Sequence, residues 1–381
     1  MRKKLFKLAA LSVCCVLLSV KSAEAVVATI KGTLPSQIHE SSGLDFTGGA
    51  SFWTHNDGYG DNKLYKVSNT GVLSRTVTVQ GATNKDWEDL THDAGRNYMF
   101  IGDFGNNAND RRDLRIYKTI YPSITSSNTI TAEVINFSYP DQTAFPSPWM
   151  NFDAEGFFHF NGKLYIFSKP DVNAMGYIKM YSVPDIAGTY VATLVDSFYT
   201  NDRVTGADIS PDGSSVILMT NSRLHLFRNF TGDKFFSGQY TRISISGSWT
   251  QKEAISFWSN NEVYLTDEDG GSGGKLYYID LSPWIPSVIT TDISNVNSQT
   301  NVIVYPNPAK DYFIASFDAK QTSVSSIALF DLTGQLVRQA SAQSAYGEIR
   351  METGDLPSGV YFYKLYADNR ELRTARLIIS H

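Results

Sequence analysis

The hydrophobic and polar positions of residues 40–285 follow one pattern that occurs five times. In each copy, polar residues and a small or acidic residue lead into an apolar strand, which is followed by a turn and a second apolar strand. The copies begin with Glu40–Leu44, Asp86–Leu90, Asp153–Phe157, Arg203–Ala207 and Gln251–Ile255. Their last residues are 46, 67, 50 and 48 positions apart. A period of roughly 40 to 50 residues with several strands per copy is typical of a β-propeller.

Each copy predicts further strands. Second strands are predicted at Ser51–Thr54, Tyr98–Ile101, Leu164–Phe167, Val216–Met219 and Val263–Thr266, and third strands at Lys63–Val67, Leu114–Lys118, Ile178–Val183, Arg223–Phe227 and Lys275–Ile279. Only four copies show a fourth strand: Ser74–Val79, Ala132–Phe137, Val191–Phe198 and Tyr240–Ile245. We expect Val26–Gly32 to supply the missing one, because a strand from the other end of the chain would close the ring and cover its edges. Five blades are favoured, and a sixth blade within the insertion Ser123–Trp149 is the alternative.

A different module follows the repeats. The polar stretch Thr290–Thr300 is typical of a linker. Beyond it, short strands are predicted at Val302–Tyr305, Tyr312–Phe317, Ser326–Phe330, Val360–Tyr366 and Thr374–Ile379. About 80 residues with such short strands predict a small β-sandwich. We therefore expect an all-β chain with a propeller at 26–286, a linker at 287–300 and a sandwich at 301–381.

The first 25 residues predict a secretory signal peptide. Four basic residues among the first seven precede the apolar run Leu8–Val20, and Ala23–Ala25 provides a small-residue cleavage site. The run is too short to span a bilayer comfortably, so we expect no transmembrane segment in the mature chain, and an uncleaved anchor is the alternative. Cys14 and Cys15 are the only cysteines, so the mature chain would hold no disulfide and no Cys-ligated metal.

The composition is that of a folded, acidic protein. Hydrophobic residues make up 42% and charged residues 19%, which argues against a disordered chain. Removal of residues 1–25 takes away five basic residues and one acidic residue, which changes the net charge from −5 to −9. We therefore expect no nucleic-acid partner.

In a propeller the first strand of each blade lines the central channel, so the polar residues of these strands are the candidate site. Positions two and four before the shared apolar residue lie on one side of a strand. If that side faces the axis, it carries an inner ring of Ser42, Glu88, Glu155, Thr205 and Glu253 and an outer ring of Glu40, Asp86, Asp153, Arg203 and Gln251. Loops after the second strands add, on the same face, His55, Asn56, Asp57, Asp103, Lys169, Asn221, Asp267 and Glu268.

Carboxylates that crowd one funnel repel one another unless cations neutralise them. Lys169 and Arg203 can neutralise two of them, and Ca²⁺ suits the others because it binds about six to eight oxygen atoms. The scattered histidines give no zinc motif. The structural alternative is that these carboxylates accept hydrogen bonds from backbone N–H groups of the neighbouring blade and hold the ring together.

Three motifs of the C-terminal module resemble a known family. Val304–Ala309, Phe330–Gly334 and Leu356–Tyr361, in this order, are similar to the type A sorting domain of the type IX secretion system. The resemblance implies export through the periplasm by the type IX machinery and removal of the tail. The mature protein would then be secreted or attached to the outer-membrane surface. A sandwich that only binds another protein is the alternative.

Two strand pairs of the repeats resemble those of β-propeller phytases and of the broader phytase-like and esterase-like propellers. They are Asp153–Phe157 with Lys163–Lys169, and Glu253–Ile255 with Val263–Asp269. This resemblance implies Glu155, Glu253, Asp267 and Glu268 as Ca²⁺ ligands, with Lys169 and Arg203 on a substrate phosphate.

These observations lead to one set of predicted site residues. The predicted metal ligands are Asp86, Asp153, Glu155, Glu253, Asp267 and Glu268; the predicted catalytic residues are Glu88 and Glu155; the predicted ligand-binding residues are His55, Lys169 and Arg203. Together they would serve Ca²⁺-dependent hydrolysis of a phosphate ester or a related ester. The alternative function is a non-catalytic propeller that binds a small molecule, a glycan or a protein.

Overall fold

The computed structural model describes residues 25–58, 60–171, 176–247, 250–268, 274–285, 302–317, 324–341, 348–367 and 370–381. These residues form β-strands and two short 3-10 turns, without an α-helix among them, so the predicted all-β class is confirmed. No helix long and apolar enough to cross a bilayer occurs in these ranges. Residues 1–24 of the predicted signal peptide and the whole predicted linker lie outside the described residues.

The first two repeats form one continuous path of strands. After the short strands β1 (Ala25–Val27) and β2 (Thr29–Thr33), the first repeat folds as β3 (Ser41–Phe46), β4 (Ser51–Asn56), β5 (Lys63–Ser68) and β6 (Leu73–Gln80). The second repeat folds as β7 (Trp87–His92), β8 (Tyr98–Asp103), β9 (Arg115–Ile120) and β10 (Thr129–Ser138). A short parallel pairing of β10 with β6 joins the two antiparallel sheets.

The other three repeats form separate antiparallel sheets. The third contains β11 (Ala154–Phe160), β12 (Lys163–Ser168), β13 (Tyr177–Pro184) and β15 (Thr193–Tyr199), while β14 (Gly188–Val191) pairs instead with β10. The fourth contains β16 (Gly206–Ile209), β17 (Ser215–Met219), β18 (Arg223–Arg228) and β19 (Gln239–Ser246). The fifth contains β20 (Lys252–Ser259), β21 (Glu262–Asp267) and β22 (Lys275–Asp280).

The N-terminal residues complete the fifth sheet, as the sequence predicts. β2 pairs antiparallel with β22 and so provides its fourth strand. The predicted single strand Val26–Gly32 is in fact two, because β1 pairs in parallel with β19 of the fourth sheet. The N-terminus therefore links the fourth and fifth sheets.

The first strands of the five sheets pack in a closed ring. β3 packs against β7, β7 against β11, β11 against β16, β16 against β20, and β20 against β3. Five apolar clusters fill the spaces between neighbouring sheets. In one of them, for example, Phe158 of the third sheet lies with Leu218 and Phe227 of the fourth. Burial of these large side chains between sheets is the main force that holds the ring together.

Polar side chains on the first strands add hydrogen bonds between neighbouring sheets. The backbone N–H of Phe157 donates to Asp89 Oδ2 at 3.2 Å, and that of Phe257 donates to Asp208 Oδ2 at 2.7 Å. The backbone N–H of Phe46 donates to Ser256 Oγ at 3.1 Å. Asp89 and Asp208, which accept two of these hydrogen bonds, lie outside both predicted rings.

The C-terminal module consists of two sheets with one shared core. Its strands are β23 (Val302–Tyr305), β24 (Tyr312–Phe317), β25 (Ser326–Phe330), β26 (Leu336–Ser341), β27 (Glu348–Glu352), β28 (Gly359–Ala367) and β29 (Arg370–Ile379). The sheet β23-β24-β27 and the sheet β26-β25-β28-β29 contribute jointly to the core around Phe313, Leu329 and Tyr363. β26 and β27 were not predicted, because each carries too few apolar residues for its pattern to stand out.

Replacement of Ser256 by Ala tests the contribution of the hydrogen bonds between sheets. The buried N–H of Phe46 would lose its acceptor, so we expect the free energy of unfolding to fall by about 1–2 kcal/mol. Urea unfolding of residues 26–381 measures the change. Ser74→Ala, at an exposed position of β6, is the control and should change the value by less than about 0.5 kcal/mol. Equal effects of the two substitutions would contradict this role of Ser256.

Candidate functional site

A β-bulge interrupts the first strand of three sheets and leaves one glutamate without an opposing partner. The pairing of β7 with β8 jumps from Trp87 to Asp89, that of β11 with β12 from Ala154 to Gly156, and that of β20 with β21 from Lys252 to Ala254. The residues passed over are Glu88, Glu155 and Glu253. A bulge bends the strand locally and changes the direction of the side chain, and bulges often occur beside functional sites.

The bulged residues lie at one level of the ring. Ser42 Oγ donates to the backbone oxygen of Glu88 at 2.5 Å, which aligns β3 with β7. Gly156 lies against the backbone of Gly206, and Gly206 in turn lies against the backbone oxygen of Glu253. Because each glycine follows an inner-ring residue, the structure brings together the five predicted positions, Ser42, Glu88, Glu155, Thr205 and Glu253.

Lys169, directly after β12, lies among these carboxylates. Its Nζ donates to Glu155 Oε1, and its positive charge also acts on Glu88 and Glu253. The three glutamates are 3%, 4% and 5% exposed, so they are buried around a common amine. We call the end of the ring formed by Asp57, Asp86, Glu88, Asp153, Glu155 and Glu253 the acidic mouth.

Two buried oxygen atoms at this level have no hydrogen-bond partner in the described part of the chain. They are Glu155 Oε2, on the carboxylate that Lys169 contacts, and Thr205 Oγ1 on the neighbouring strand. Buried polar atoms without partners are uncommon in proteins, since each carries an uncompensated desolvation penalty. Both atoms lie beside the acidic mouth.

Asp57, Asp86 and Glu88 form a close group of carboxylates in the described part of the chain. One oxygen atom from each lies within 4.8 Å of the others. Two glycines border this group, because a Cβ atom on Gly58 would overlap Asp86 Oδ1 and one on Gly105 would overlap Glu88 Oε1. A side chain at either glycine would therefore displace a carboxylate of the group.

A buried ion pair positions Asp86. The backbone N–H of Asp86 donates to Asp103 Oδ1 at 3.1 Å, and Arg111 Nη2 donates to the same oxygen at 3.0 Å. Arg111 also donates to the backbone oxygen of Gly105 at 2.7 Å. Arg111 and Asp103 thus hold both the segment that carries Asp86, directly before β7, and the loop that borders Glu88.

Burial and mutual repulsion raise the pKa values of the acidic mouth. Burial is the largest cause for Asp57, whose pKa rises to about 7, with further increases from Asp86 and Glu268. The pKa of Glu253 also rises to about 7, and that of Asp153 rises to about 6 although Lys169 opposes the increase. Burial, followed by the charges of Asp57, Asp153 and Asp86, raises the pKa of Glu88 well above its usual value.

Two other predicted site residues accept hydrogen bonds from neighbouring parts of the ring. Asp153 Oδ1 accepts the backbone N–H of Asn106 at 2.7 Å. Asp267 is 1% exposed, and its two oxygens accept the N–H of Lys275 and the hydroxyl of Tyr277, each at 2.5 Å. Both oxygens of Asp267 therefore accept hydrogen bonds within the fifth sheet, and its role as a metal ligand stays a prediction.

Three further predicted site residues differ from one another in how exposed they are to solvent. His55 is fully buried, and burial lowers its pKa to about 4. Its Nδ1 lies 2.8 Å from the backbone oxygen of Asn56, and its Nε2 accepts the backbone N–H of Gly43. The structure therefore does not bring His55 to a position where it could contact a ligand. Glu268 is half-buried, and burial raises its pKa. Arg203 is exposed and close enough to lower the pKa of Asp153.

Sequence reasoning placed Asp57 on this face but not among the metal ligands. The available signal was the pair Asp57–Gly58 directly after β4, since a glycine beside an acidic residue permits close approach of other groups. The Asp103–Arg111 pair gave no such signal, because the seven residues 104–110, which follow β8, separate its members.

A cavity of about 490 Å³ lies at the opposite end of the ring. Its walls come from the turns between first and second strands and from the C-terminal module, and they include His92, Arg96, Asp208, Tyr305 and Asn307. The cavity is therefore separate from the acidic mouth.

Residues 303–380 match the family model of the secretion system C-terminal sorting domain. The match covers the three motifs on which the resemblance was based, so the predicted identity of the C-terminal module is confirmed. A domain of this kind implies export by the type IX secretion system, contact with its machinery, and a secreted or cell-surface location. No curated protein matches the chain, and the resemblance of the repeats to phytases stays a prediction.

The raised pKa values predict how stability depends on pH. A carboxyl group whose pKa is higher in the folded than in the unfolded protein favours folding at low pH and loses that contribution as the pH rises through the folded pKa. For Asp57, Asp153 and Glu253 this loss lies between about pH 4 and 7. We therefore expect the metal-free protein to lose on the order of 1–3 kcal/mol of stability from pH 5 to pH 8.

Urea unfolding in the presence of a chelator measures this dependence. Asp57→Asn should reduce it, whereas Asp196→Asn, at an exposed position of β15, should leave it unchanged. A free energy of unfolding that is constant or rises from pH 5 to pH 8 would contradict the raised pKa values of these acids.

Proposed function

We propose that the five sheets form a five-bladed β-propeller whose acidic mouth binds a divalent cation, with Ca²⁺ as the favoured ion, and an anionic ligand beside it. The juxtaposition of Asp57, Asp86 and Glu88 carries this proposal. Ca–O distances of about 2.4 Å place ligands on opposite sides of the ion about 4.8 Å apart, so three oxygens within that span can share one ion.

The surroundings of these three residues support a hard cation. All three donors are carboxylate oxygens, which Ca²⁺ and Mg²⁺ prefer, and neither His nor Cys belongs to the group. Gly58 and Gly105 leave the carboxylates unobstructed. A bound cation would also remove the repulsion that raises the pKa values of Asp57 and Glu88.

The positive charges at the mouth favour an anionic ligand such as a phosphate ester. Lys169 lies at the centre of the carboxylates, and the exposed Arg203 lies near Asp153. Both can attract a phosphate group, and the cation would neutralise its remaining charge and lower the pKa of a water molecule.

Glu155 is the best-placed general base for hydrolysis of such an ester. Lys169 holds its Oε1, while its Oε2 is buried and has no partner among the described residues. A carboxylate oxygen in this state can accept a proton from an attacking water molecule. Because the sorting domain implies export, the substrate would be one that the protein meets outside the cell.

Cation binding predicts a thermal shift. Millimolar Ca²⁺ should raise the melting temperature of residues 26–381 by several degrees at pH 7.5 relative to the chelator-treated protein. Asp57→Asn, Glu88→Gln and Gly105→Ala should each abolish most of the shift. Glu133→Gln, at an exposed position of β10, should retain it. A wild-type protein without a shift would contradict the cation site.

Hydrolysis is tested separately from cation binding. A generic phosphate monoester should be hydrolysed in a Ca²⁺-dependent manner, and Glu155→Gln should lower kcat by roughly 100-fold or more while the thermal shift with Ca²⁺ persists. Unchanged turnover in this variant would reject Glu155 as the base. Absence of hydrolysis at any Ca²⁺ concentration, together with saturable binding of a glycan or protein, would favour the non-catalytic alternative.

A further inference from the structure

The end of the ring opposite the acidic mouth contacts the C-terminal module. The contacts come from two turns, 47–50 between β3 and β4 and 93–97 between β7 and β8. The two turns belong to different sheets, so this surface exists only when the first and second sheets are packed side by side. On the module, β23, β24 and β27 provide the opposing residues.

Arg96 is the charged residue at the centre of this contact. It is 9% exposed, and its guanidinium lies 4.6 Å from the ring centre of Tyr305 of the module. Its Nη2 donates to the backbone oxygen of Phe46 at 2.6 Å. The negative charge of Glu348, also on the module, acts on Arg96 across the interface. The module therefore supplies both an aromatic face and a compensating charge to a buried arginine.

The backbone of the ring is shaped to fit the module. A Cβ atom on Gly95 would overlap the hydroxyl oxygen of Tyr312, and the neighbouring Asn97 Nδ2 donates to that oxygen at 3.0 Å. Gly95 lacks a positive φ, so this close approach is what requires a glycine there. In the other turn, Ser316 Oγ donates to the backbone oxygen of Gly48. Such complementarity distinguishes a specific contact from chance proximity.

We propose that this end of the ring is a docking surface for the protein's own C-terminal module, with Arg96 as its anchor. The docked module turns the Tyr305–Pro308 stretch towards the ring, because Tyr305 is buried against Arg96 and residues 306–308 line the cavity between the two parts. The acidic mouth then points away from the module. Because the module docks at the opposite end of the ring, the acidic mouth stays accessible to ligands.

Cleavage of the linker tests the docking. A specific protease site is placed within residues 290–300 of the chain that spans residues 26–381, and the cleaved protein is analysed by size-exclusion chromatography at micromolar concentration. We expect the two parts of the wild type to elute together. Gly95→Ala should weaken their association at least about tenfold and separate them, since its Cβ would displace Tyr312.

Two further variants show that separation reflects the interface. Gly49→Ala is the matched control in the neighbouring turn, because its Cβ would meet no atom within 4 Å, and it should elute like the wild type. Tyr312→Ala changes the module instead of the ring and should separate the parts even if Gly95→Ala impairs folding of the ring. Separation of the wild-type parts upon cleavage, or retention in both Gly95→Ala and Tyr312→Ala, would overturn the proposal.

Discussion

Repulsion among buried carboxylates is the constraint on which the acidic mouth depends. Glu88, Glu155 and Glu253 come from three sheets, and Lys169 is the amine that lies among them. One amine does not balance three glutamates and their aspartate neighbours, so the ring carries unfavourable electrostatic energy at neutral pH. Packing of large apolar side chains between the sheets supplies the stability that tolerates this arrangement.

The acidic residues of the first strands divide into two groups with different roles. Asp89 and Asp208 accept backbone N–H groups from the next sheet and hold the ring together. Glu88 and Glu155 lie in β-bulges, and Glu155 accepts a hydrogen bond from Lys169. Asp153 of the predicted outer ring also accepts a backbone N–H, that of Asn106, so structural bonding extends to one of the predicted site residues, and ligand binding at the glutamates stays a proposal.

Much of the fold followed from the sequence, because the apolar strands repeat with a regular period and each buries a clear hydrophobic face. The candidate site was harder to predict. The positions of Glu88 and Glu155 followed from strand alternation, but the bulges that direct them are not visible in residue type. The bonds of Asp267 to Lys275 and Tyr277 could not be predicted, because they depend on the pairing of β21 with β22.

Calorimetric titration of the full mature chain with Ca²⁺ tests the central claim most directly. Because carboxylates must lose protons to bind a cation, the account predicts saturable binding at pH 7.5, release of protons to the buffer, and an affinity at least about tenfold lower at pH 5.5. Absence of binding at both pH values, or an affinity that does not depend on pH, would contradict it.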